Sequence, residues 1–69
     1  MWYVVEQTFT YKSGLMGGRL VTIVYGKPAV KRQLENNKSW LTRKGHTGDE
    51  PVVTHAESKE NAERMVKSK

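Results

Sequence analysis

The chain contains no cysteine, so no disulfide can staple it and no thiol can serve as a nucleophile or metal ligand. That absence fits a reducing compartment. Proline occurs twice and phenylalanine once. No apolar run approaches the ~20 residues that a membrane-spanning helix requires. The opening MWYVVEQTF has no basic leader, and its apolar part is too short for a signal peptide. A cytoplasmic protein without a membrane anchor is the expectation. At 69 residues, one small domain with a small core is expected.

Acidic residues are scarce over residues 19–46. Seven cations lie there (Arg19, Lys27, Lys31, Arg32, Lys38, Arg43 and Lys44) against Glu35 alone. The rest of the chain nearly cancels, with five cations and six acids, and the net charge is +5. Charge segregated in this way attracts an anionic partner and speeds its encounter.

Two segments read as strands. Residues 2–11 (WYVVEQTFTY) and 19–25 (RLVTIVY) are rich in β-branched and aromatic types. In the first, alternation sets Tyr3, Val5, Gln7, Phe9 and Tyr11 on the more apolar face, the expected core side. Three glycines lie between the two segments (Gly14, Gly17, Gly18), which makes them a β-hairpin. At its tip, Leu15 and Met16 stand among glycines. They are candidates to contact a partner, as a wedge between bases or an anchor in a protein pocket; alternatively they fold back onto the sheet.

Pro28 suits a helix start, and Val30, Leu34 and the Lys31–Glu35 pair support a short helix over residues 28–37. Asn36-Asn37 then weakens it. The turn-rich stretch that follows admits a basic loop, or a strand around residues 40–43. Residues 51–55 read as a third strand. Ser58 is a candidate N-cap for a closing helix to about residue 67, with Ala62, Met65 and Val66 as its apolar stripe. The fold expected is α+β: a small antiparallel sheet of about three strands, a C-terminal helix on one face, and a basic helix or loop insertion.

Within the basic segment, Lys38, Arg43 and Lys44 bracket Trp40. Cations that neutralise phosphates beside a ring that can stack on a base form the mixture found at nucleic-acid sites. Trp40 also reads as a core residue, since a small core needs large side chains. The candidate contact residues are Arg19, Lys27, Lys31, Arg32, Lys38, Trp40, Arg43 and Lys44. No nucleophile elbow, phosphate loop or metal-ligand spacing is present; His46 and His55 lie nine apart with Asp49 and Glu50 between them. A non-enzymatic binding module without cofactor or metal is expected. Its partner is nucleic acid, DNA or RNA, or else an acidic surface of a larger protein such as a polymerase or nuclease, as for small phage or mobile-element regulators. A free sheet edge makes a homodimer possible.

The two leading strands and the segment 54–64, above all Ser58-Lys59-Glu60-Asn61-Ala62-Glu63, resemble the small arm-binding domains at the N-termini of phage-type tyrosine integrases. The resemblance covers about half the chain and leaves residues 27–50 without a counterpart. It implies a three-stranded sheet followed by a helix, with the sheet entering a DNA groove.

Overall fold

The computed structural model of the chain describes residues 1–15 and 17–67. Its elements follow in the order β1 (Trp2–Thr10), β2 (Arg19–Tyr25), α1 (Lys27–Lys44), β3 (Thr47–Gly48), β4 (Val52–Ala56) and α2 (Lys59–Lys67). The architecture is the expected α+β arrangement. β1 is central and pairs antiparallel with β2 on one side and with β3 and β4 on the other. Phe9 lies opposite Gly48, but Glu6 lies opposite Val52. Residues 49–51 therefore face only Gln7 and Thr8, which is the extra residue of a β-bulge. Asp49 fastens it. Its N–H donates to the Thr8 carbonyl (2.9 Å), and its carboxylate accepts from the Thr8 hydroxyl (2.7 Å).

Register decides which side chains share a face. Trp2 and Val4 stand beside Val21, Ile23 and Ala56 on the face that α2 covers with Ala62, Met65 and Val66. Val5, Gln7 and Phe9 point the other way, toward Trp40 and Leu41 of α1. The molecule thus has three layers, helix, sheet and helix. Neighbouring Val4 and Val5 are both buried, 1% and 0% exposed, one on each face. This corrects the one-faced reading of β1. The unbroken apolar run of residues 2–5 is that of a strand covered on both sides.

The helix also differs from expectation. The reading of residues 28–37 as a short helix, with a loop or a strand near 40–43, gives way to one helix of 18 residues through Lys44. Two asparagines cost roughly 0.5–0.7 kcal/mol each in propensity. Burial of Leu41 and packing of Trp40 on Phe9 (ring centroids 5.4 Å) outweigh that cost. The helix is therefore a full layer rather than an insertion. Gly45 ends it in the left-handed region (φ 72°). The Gly45 N–H donates to Thr42 and the His46 N–H to Leu41, a Schellman closure. The short strand expected at 51–55 sits one residue later, because Pro51 belongs to the bulge. At α2, Ser58 Oγ accepts from the Asn61 N–H (3.1 Å), so the expected cap is present.

Among the described residues, Asn37 is the one buried polar residue, at 5% exposure. Its Oδ1 accepts from Gln33 Nε2 (2.9 Å), while its Nδ2 has no partner. An unmet buried donor costs about 1–3 kcal/mol. Asn37→Leu should therefore raise stability by about 1 kcal/mol, or about 4–8 °C in Tm for a chain this small. Thermal denaturation measures it, and a lower Tm would show that the Asn37 amide stabilises the fold.

Candidate nucleic-acid interface

An 18-residue helix is about 27 Å long, and α1 rests one flank on the sheet and turns the other to water. Helical spacing sorts its exposed residues. Lys27, Lys31 and Lys38 form one row. Arg32, Asn36, Ser39 and Arg43, at steps of four, three and four, form a second. Lys44 stands at the C-terminal end. All six cations are exposed, and only Glu35 opposes them on the helix. α1 therefore carries five net positive charges, equal to the net charge of the whole chain. Among the described residues none of the six cations is ion-paired. On the opposite side of the sheet, Glu57, Glu60 and Glu63 offset Lys59, Arg64 and Lys67.

The other candidate residues separate from this surface. Arg19 lies opposite Thr8 on the α2 side of the sheet, its guanidinium 3.6 Å from the Glu6 carboxylate. It does not join the α1 cations. Trp40 is half-buried in an aromatic cluster. It meets Phe9 edge to face and stands 5.5 Å from His46, while His46 stacks on Phe9 at 5.5 Å and meets the Tyr11 ring at 5.2 Å. The His46 Nδ1 accepts the Lys12 backbone N–H (3.0 Å), which ties the end of β1 to the end of α1. Leu15 is 69% exposed, whereas Met16 lies outside the described residues.

One residue outside the candidate set joins the surface in space. The aliphatic part of Lys12 lies beside Gly45, which brings its ammonium to the Arg43–Lys44 end of α1. No local signal reveals this, since the two segments are far apart in sequence. Tyr25 is 63% exposed just before Gly26-Lys27, with Trp2 against its ring (5.0 Å). Its place opposite Trp2 puts its ring on the face that α2 covers, so like Arg19 it does not join the α1 cations.

Between α1 and the bulged edge runs an open groove of about 340 Å³, lined by Gln7, Leu34, Lys38, Leu41 and Pro51 among others. Among the described residues, no three His, Asp or Glu side chains gather to hold a metal ion, and no helix is long and apolar enough to cross a membrane. Comparisons with protein-family models, curated proteins and solved structures find no match to this chain.

These positions separate fold from surface. Trp40→Ala removes a half-buried ring and should cost about 2–3 kcal/mol, below the ~3–5 kcal/mol of a fully buried aromatic. Leu15→Ser and Tyr25→Ala should each stay within about 0.5–1 kcal/mol of the parent. Urea titration measures all three. A Trp40→Ala protein as stable as the parent would show that the aromatic cluster does not hold the fold together.

Proposed function

We propose that the chain is a non-enzymatic nucleic-acid-binding module that grips phosphates with the solvent face of α1. The observation that carries this reading is the two-row array of unpaired cations along about 26 Å of rigid helix. A helix fixes its cations at a regular spacing, so little chain entropy is lost when several bind at once. A helix about 10–12 Å across also matches the roughly 12 Å width of the DNA major groove, whose walls are the two phosphate backbones. Cations on both flanks of α1 suit that placement, and Asn36 and Ser39, which share the row of Arg32 and Arg43, are polar side chains able to reach base edges.

The fold itself supplies no reason for this charge. The first turn of α1 has no acid and begins with Lys27, at the end where the helix dipole favours anions. Like charges along one helix repel each other as well. A protein that needed α1 only for packing would gain by placing an aspartate or glutamate there. An anionic partner relieves both costs, and release of counterions from a polyphosphate drives its binding. Lys12 extends the positive surface at the C-terminal end.

Fluorescence anisotropy with labelled duplex and single-stranded oligonucleotides tests the reading. The slope of log K against log salt should shrink by about 0.9 for each duplex phosphate that Lys38→Ala/Arg43→Ala leaves without its cation. Arg19→Ala should leave the slope close to that of the parent, because that guanidinium is already held beside Glu6 on the other face. An unchanged slope in the α1 double variant, with the fold intact, would sink the proposal. In that case a stoichiometric protein partner that survives nuclease treatment becomes the reading to pursue.

A further inference from the structure

We infer that two copies of this chain join along the outer edge of β4, forming a continuous sheet in the order β2-β1-β4-β4-β1-β2 with both α1 helices on one face. The dimer follows from the edge itself. Only its consequence for binding rests on the function proposed above.

Hydrogen bonding fixes which groups the edge offers. The Phe9 N–H donates to Gly18 and the Gly26 N–H to Met1, so odd-numbered residues of β1 bond toward β2. The Asp49 N–H donates to Thr8, so even-numbered ones bond toward β3 and β4. With Val4 opposite Thr54, the backbone groups of Val52, Thr54 and Ala56 point into the sheet. Those of Val53 and His55 point outward. β4 carries no charged side chain, and Val52 and Val53 are 57% and 41% exposed. An uncharged edge strand with exposed valines and free backbone groups is a template for another strand.

The register is also fixed. Antiparallel pairing about Thr54 sets Val53 of one copy opposite His55 of the other, twice, and each such pair exchanges both of its N–H to carbonyl bonds. Pairing about Val53 would set His55 against Pro51, which has no N–H to give. Pairing about His55 would draw Glu57, in the bend after β4, into the ladder. About Thr54, Glu50 falls opposite Ser58 and beside Lys59, at the positive end of α2, so charges complement at both ends of the joint. The outer edge of β2 is free too, but Leu20 to Val24 are already partly shielded, and α1 packs over β2. Pairing there would press two strongly positive helices together, whereas α1 keeps away from β4.

The axis that relates two antiparallel edge strands is perpendicular to the sheet. Each face therefore stays on its own side, and two α1 layers with five positive charges each line one surface. A single copy offers one such helix; the dimer offers a pair held at a fixed separation.

Sedimentation equilibrium of the full chain should give twice the monomer mass at high micromolar concentration. Val53→Lys, exposed in the monomer, should weaken association at least about tenfold, with circular dichroism and Tm unchanged. Thr54→Cys should form an interchain disulfide under mild oxidation, because residues opposite each other at a non-hydrogen-bonded site lie about 4.5 Å apart at Cα, within disulfide reach. Thr22→Cys on β2 should not. A monomer at all concentrations, a Val53→Lys protein that dimerises like the parent, or crosslinking at Thr22 rather than Thr54 would each overturn the inference. Dimerisation without oligonucleotide binding would sink only the functional proposal, and binding by a strict monomer only this one.

Discussion

Everything in this molecule depends on β1 being buried on both faces. Val4 and Val5 are adjacent and both withdrawn from water, which no single helix can achieve, since alternate side chains of a strand leave in opposite directions. Two covering layers are then obligatory. α2 supplies one with nine residues and the small side chain of Ala62, which lets it approach Val4 and Ala56 closely. α1 supplies the other. Its length follows from its task, because it must leave β2, cross the sheet and deliver the chain to β3 on the far side of β1.

The second constraint is the packing around Phe9. Its neighbours across the strands are Gly18 on one side and Gly48 on the other, so the ring meets little competition from side chains beside it. A Cβ on Gly48 would stand 2.6 Å from Leu41 Cδ1, and the absence of one is what lets α1 settle onto the sheet. Trp40 and His46 then close over the ring. This cluster holds the C-terminal end of α1 and sets its rotation, which in turn decides that the cations face solvent. Packing and charge display are thus linked: the residues that bury one flank of the helix aim the other.

Stability and the binding proposed for α1 pull against each other. Six cations and one acid make a poor helix electrostatically, and an asparagine buried at its centre makes a poor core residue. Natural chains sit only slightly above the stability they need, so costs of this kind persist where another requirement keeps them. Under the function proposed here, an anionic partner supplies that requirement for the cations.

The fold class, β2 and the cap and stripe of α2 were legible in the sequence, because each rests on local chemistry: β-branched runs, a serine N-cap, apolar spacing of three and four. So was the concentration of positive charge. Its layout was not. Whether residues 38–44 continued a helix depended on Trp40 and Leu41 finding Phe9 and Gly48, partners far away along the chain, and propensity at Asn36-Asn37 pointed the other way. The removal of Arg19 from the basic surface came from strand register, since a residue's face depends on its pairing. The arrival of Lys12 came from the hydrogen bond between its backbone and His46. Sequence alone determined how much charge there was and on which residues; only the tertiary structure, by burying one flank of α1, decided which of those charges stand together.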